Sequence, residues 1–243
     1  MERIQRLLSL ERKMMRLRLL VIIFILTFLL NGCNKAEDNS YQLDYFEVIK
    51  VKVDNLHLDN SCKIFEEKRI DNGVSVFLYK DNENHQINGG ISLKDKFYDL
   101  GEVSVDNTPD DLMGIEEVQV FGKKAVKIYG ILGANYAQAF YLLVEENLEE
   151  SILQESIIQI EGYTVEIDLD EDGKKEIVST LGTIPETKIF TFKNGTIYGS
   201  DINKSIGAKS VLLQDNDKKL FQVYFESNKP EQYVYHEGSL LKK

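Results

Sequence analysis

The stretch at 165–198, "VEIDLDEDGKKEIVSTLGTIPETKIFTFKNGTIY", finds a partner further along the same chain, "VLLQDNDKKLFQVYFESNKPEQYVYHEGSLL" at 211–241. Asp170 and Asp172 fall on Asp215 and Asp217, 45 positions later, and Lys174 falls on Lys219. Pro185-Glu186 meets Pro230-Glu231 at the same offset, and a two-residue deletion then brings Gly195 onto Gly238. Upstream, Gly122-Lys123-Lys124 matches Gly173-Lys174-Lys175, and the run from Val74 supplies a weaker fourth copy. Within each copy, short alternating runs rich in Val, Ile, Tyr and Phe are broken by Asn, Asp and Gly, the signature of strands and tight turns. "KNG" at 193–195 marks a hairpin, because Asn-Gly accepts the positive φ angles of a type I′ turn.

A unit of about 45 residues with three or four strands cannot bury both of its faces alone, so the copies must stack. The fold expected is therefore all-β: a propeller-like array of about four short antiparallel sheets, with 41–53 as additional strand material and four or five blades in all. The alternative is a β-sandwich or meander whose hairpins merely look alike. Outside the strands, "EENLEESILQE" at 145–155 suits a helix or a single helical turn, with Leu148 and Ile152 one turn apart. "NGG" at 88–90 reads as a bend or bulge within a strand. With no Pro- or Ser-rich linker, 41–243 reads as one domain.

The chain has 243 residues and a net charge of −11. Residues 1–32 hold six of the basic and two of the acidic side chains, so the remainder carries −15. That surface repels phosphate backbones, which argues against a nucleic-acid partner. The basic residues Arg12, Lys13, Arg16 and Arg18 precede an apolar run, "LLVIIFILTFLL" at 19–30, too short to span a bilayer as a helix. The run ends in "LNGC" at 30–33 and resembles a bacterial lipoprotein signal, an N-terminal helix removed before a cysteine that receives lipid. The resemblance implies a signal peptide at 1–32, lipidation of Cys33, a polar tether at 33–40, and an extracytoplasmic domain anchored to the bacterial membrane. Met14 and Met15 offer alternative starts. Two or more acyl chains hold stably where one does not. With Cys33 lipidated, Cys62 has no partner for a disulfide and reads as a small, partly buried strand residue.

Asp168, Asp170, Asp172 and Glu176 stand at positions 1, 3, 5 and 9 of one loop, with Gly173 at position 6. Carboxylates at this density repel one another unless a cation lies between them, and calcium takes ~6–8 oxygens in such loops. Ser179 occupies position 12, where an EF-hand needs a bidentate Glu, and the flanks "YTVE" and "IVST" are strand-like, so an EF-hand is disfavoured. The loop instead resembles the Asp-x-Asp-x-Asp-Gly-x-x-Glu segment of FG-GAP/VCBS-type repeats, closely over the loop and loosely over about 80 residues. That resemblance implies one Ca2+ held by the side chains of Asp168, Asp170, Asp172 and Glu176 and by the backbone of Lys174. In the second copy Leu213, Lys218 and Phe221 replace three of these positions, so one competent site is expected.

Signs of catalysis are absent from the sequence. His57, His85 and His236 are isolated from one another and from either cysteine. No nucleophile or phosphate-loop motif is present. The aromatics of "KFYDLGEV" at 96–103 and "GANYAQAFY" at 133–141 read as core filling. The expectation is a non-catalytic, tethered binding module whose partner is an envelope protein, a cell-wall glycan or a peptide. A small-ligand-binding accessory to a membrane enzyme or transporter is the alternative, and a hydrolase the less favoured one.

Overall fold

The computed structural model describes residues 40–58, 62–70, 73–81, 86–144 and 148–243. The expected signal peptide, Cys33, the tether through residue 39 and His85 lie outside the described residues. Within Ser40–Lys243, a single compact unit, the chain begins with three short strands. These are β1 (Ser40–Gln42), β2 (Phe46–Glu47) and β3 (Asp54–Asn55), so β1 starts on the last residue of the expected tether. Four meanders follow. The first sheet holds β4 (Cys62–Ile70), β5 (Val74–Asp81), β6 (Gln86–Leu93) and β7 (Lys96–Val105). The second holds β8 (Gly114–Val120), β9 (Lys123–Gly133), β10 (Tyr136–Leu143) and β11 (Ile157–Glu161), with a single helical turn, α1 (Glu150–Leu153), before β11. The third holds β12 (Tyr163–Ile167), β13 (Glu176–Leu181), β14 (Glu186–Lys193) and β15 (Thr196–Asp201). After α2 (Ile202–Ile206) the fourth holds β16 (Ser210–Asp215), β17 (Leu220–Glu226), β18 (Lys229–His236) and β19 (Ser239–Lys242).

All pairings are antiparallel between consecutive strands, except where the N-terminal segment joins. That segment forms no sheet of its own, which corrects the expectation of a possible fifth blade. Instead β1 pairs with β19, β2 with β15 and β3 with β7, so it adds an outer strand to the fourth, third and first sheets in turn. The stretch at 41–53, expected as additional strand material, is correspondingly divided. Val51 and Val53 turn into the core of the first two sheets and Leu43 into that of the last two. Anchoring side chains, rather than a continuous ladder, dictate the path of this strap.

Three apolar clusters join successive sheets. On β10, Phe140 and Leu142 face the first sheet, while Ala139, Tyr141 and Leu143 face the third. The second sheet is therefore buried on both sides, and its sequence "AFYLLVE" is apolar without alternation for that reason. On the third sheet Ile177 and Phe190 face back to the second, whereas Val178 and Ile189 face the fourth. Leu148 and Leu153 pin the α1 turn into the first cluster, and within 148–156, the described part of the stretch read as a helix or a single turn, α1 runs on into a 3-10 turn at Gln154–Ser156.

Turn chemistry follows the residues. Asn194 and Gly195 take φ of 52° and 84°, and the hairpin read from "KNG" is in place. At "NGG", the β6–β7 register shifts beside Asn88 and again between Gly89 and Gly90. Gly90 is required by packing, since a Cβ there would sit 2.3 Å from the Phe77 ring. Of the aromatics at 96–103 and 133–141, Tyr98, Phe140 and Tyr141 are buried as expected, while Phe97 and Tyr136 are half-buried. Cys62 opens β4 and is half-buried there.

Candidate metal centre

The acidic loop joins the first two strands of the third sheet, with strands on both flanks. Leu169 is buried in the cluster between the third and fourth sheets, and Ile167 packs against the same cluster. Those two apolar anchors fix alternate positions inward and leave Asp168 and Asp170 on the other side of the chain. Glu171 and Gly173 adopt φ of 65° and 85°. No neighbour would crowd a Cβ at Gly173, so the backbone angle is what requires glycine there.

Backbone donors organise the carboxylates. The Gly173 N–H donates to Asp168 Oδ2 (3.1 Å), the Asp172 N–H to Asp170 Oδ1 (3.3 Å) and the Leu169 N–H to Glu176 Oε2 (2.9 Å). The result brings one oxygen each of Asp168, Asp170 and Glu176 within 4.8 Å of one another. Asp168 Oδ1 is buried and has no hydrogen-bond partner. A buried, unmatched carboxylate oxygen is costly, and a cation among these three groups would satisfy it. Burial pushes the Glu176 carboxyl up to about 7; the negative charges of Asp170 and Asp172 add to the effect, and the Leu169 hydrogen bond opposes it.

Asp172, also expected as a ligand, stands apart from this group. Asp172 turns to Lys174, accepting from its backbone N–H (2.8 Å) and pairing with its ammonium (2.9 Å). Those contacts hold the Asp172 carboxyl below its ordinary range. Lys175 accepts a hydrogen bond from Phe121 N (2.7 Å), which ties the loop to the β8–β9 turn. On the other side Lys219 pairs with Glu171 at 3.1 Å. The corresponding loop of the fourth sheet carries no such group. Asp215 is taken up by Lys218, accepting from its backbone N–H (3.0 Å) and pairing with its ammonium (2.9 Å).

Two residues beside the site gave no signal in the sequence. Tyr45 of the strap and Tyr235 of β18 share a hydroxyl–hydroxyl hydrogen bond of 2.9 Å. Burial raises the pKa of both phenols, and the charges of Glu176 and Asp170 raise them further. The pair comes from positions 190 residues apart, a proximity that only the stacking of sheets creates. Among the described residues His57 and His236 are exposed, in the first and fourth sheets' regions. No protein-family model, no curated protein and no solved structure matches this chain.

Proposed function

We propose that the chain is a bacterial lipoprotein, tethered outside the cytoplasm through Cys33, whose folded unit is a non-catalytic binding module stabilised by one calcium ion. The observation that carries the calcium reading is the meeting of Asp168, Asp170 and Glu176 oxygens within 4.8 Å, beside the buried Asp168 Oδ1 that lacks a hydrogen-bond partner. All-oxygen, all-carboxylate donors suit a hard cation, and three carboxylates on one loop suit calcium better than magnesium, which prefers to keep its waters. Calcium there would supply charge neutralisation, locking the β12–β13 hairpin against the strap and the fourth sheet. The succession of four-stranded meanders with a core between each neighbouring pair supports a propeller-like array of FG-GAP/VCBS-type units. An acidic domain that membrane headgroups repel gains from a lipid anchor, which supports the tether. The partner is proposed to lie among envelope proteins or cell-wall glycans.

With free calcium at ten times the dissociation constant, native-state linkage contributes about 1.4 kcal/mol. For a domain of this size that raises Tm by about 3–6 °C. Thermal unfolding in calcium and in chelator tests the site: superimposed curves would remove it. Blocking lipoprotein signal processing in cells tests the tether, with accumulation of the unprocessed precursor expected and unchanged processing refuting it.

A further inference from the structure

Three of the four sheets receive a fifth strand from the N-terminal strap, always antiparallel and always on their last strand. The second sheet does not. Among the described residues its last strand, β11, pairs only with β10, while strap residues 46–52 pass alongside without joining its ladder. Between strap and strand lies a cleft of about 610 Å3, lined by Phe46, Ile49, Val51, Ile160, Phe190 and Lys188 among others. Ile49 on its rim is 90% exposed and Phe46 46% exposed, unusual for large apolar side chains.

The ladder identifies which backbone groups face this cleft. Gly162 N–H donates to Ala137 O (2.7 Å), and β11 continues in the same register, Ile160 opposite Ala139 and Gln159 opposite Phe140. Antiparallel pairs alternate between bonded and non-bonded. Ile158 and Ile160 therefore bond to β10, and the N–H and C=O of Gln159 and Glu161 point to the open side. An edge with outward polar groups beside an apolar cleft is the arrangement that strand addition uses.

We propose that β11 and the strap cleft bind an extended segment of a partner protein, added antiparallel as the missing fifth strand of the second sheet. The partner segment is free of proline and apolar at alternate positions, so that one set of side chains meets Phe46, Ile49 and Phe190. Five residues of β11 give a footprint of about 17 Å. The strap walls the cleft and admits one extended chain, while standing in the way of the β11 edge of a second copy. This inference rests on the interaction-module reading and names its partner class, but it does not depend on calcium.

The probe is a displayed library of linear ten-residue peptides, selected on the folded domain, with enriched sequences remeasured as synthetic peptides by fluorescence polarisation. The expected peptides alternate apolar and polar residues. Gln159→Pro, which deletes one outward donor and leaves the β10 bonds intact, should weaken them at least tenfold. Gln159→Ala, which keeps the donor, should change affinity less than twofold. Should Gln159→Pro fail to fold, amide exchange on the wild-type domain decides: added peptide must slow exchange at Gln159 and Glu161. No enriched peptide, equal binding to Gln159→Pro, or no protection at those two amides would overturn the proposal. Repeating the binding in chelator separates it from the calcium reading, since loss of the calcium site leaves peptide binding in place.

Discussion

Replacing Lys127 by Met tests how the second and third sheets are held together. Lys127 lies on β9 with its side chain 10% exposed, and its ammonium is 2.9 Å from Glu166 Oε1 on β12, itself 16% exposed. The Tyr141 hydroxyl donates to the same oxygen, and the ammonium lies 5.2 Å from the Tyr129 ring centre and 5.8 Å from that of Tyr141. Methionine keeps most of the apolar stem, so the loss is chiefly the charge. Glu166 then remains buried with a single neutral donor, and breaking one partner of such a pair costs about 3–5 kcal/mol. Residual solvent access and the retained Tyr141 bond reduce that to about 2–4 kcal/mol, a fall in Tm of roughly 4–16 °C. Urea unfolding followed by far-UV circular dichroism measures it, since the chain has no tryptophan to report by fluorescence. The double variant Lys127→Met/Glu166→Gln removes both charges and should recover at least half of the loss. A single variant costing under about 1 kcal/mol, or a double variant equal to the sum of the singles, would refute the reasoning.

Further expectations follow from the loop and from packing. Asp168→Ala should abolish calcium-dependent stabilisation while Asp172→Ala retains it, because Asp172 is engaged with Lys174; loss in both variants would restore Asp172 as a ligand. Glu176 has a folded-state pKa of about 7, above its ordinary 4.5. Without calcium, its contribution to stability is full below about pH 4.5 and is lost as pH rises through 7, since the folded state binds the proton more tightly. Calcium must displace that proton, so its apparent affinity should fall about tenfold from pH 8 to pH 6; titration calorimetry at both values would show a flat profile if Glu176 is not a ligand. Gly90→Ala should cost about 1–3 kcal/mol through overpacking against the buried Phe77 ring. A Tm within 1 °C of wild type would contradict that contact.

The sequence made the hairpins legible wherever local chemistry dictated them. Asn194-Gly195 allows few other turns, and the β-rich runs at 176–181 and 186–193 match strands of the third sheet. The all-β class and the four sheets follow from such signals. The path of the strap is not legible because a strand-like stretch at 41–53 is equally compatible with one strand and with a tether whose apolar residues drop into separate cores. Pattern gives the period but not the partner. The loop shows the same limit at finer scale. Spacing indicated where carboxylates gather, yet Asp172 turns away because Lys174, two residues on, offers both a backbone donor and a charge. Tyr45 and Tyr235 had no local signature at all, since only tertiary stacking brings them beside Glu176.

Anomalous diffraction from crystals of the Ser40–Lys243 unit grown with calcium is the most direct measurement of the central claim. A single peak bounded by Asp168, Asp170 and Glu176, with Asp172 still paired to Lys174, is the result expected. No peak at that loop under millimolar calcium, with the Asp168 oxygen hydrogen-bonded to water instead, would contradict it.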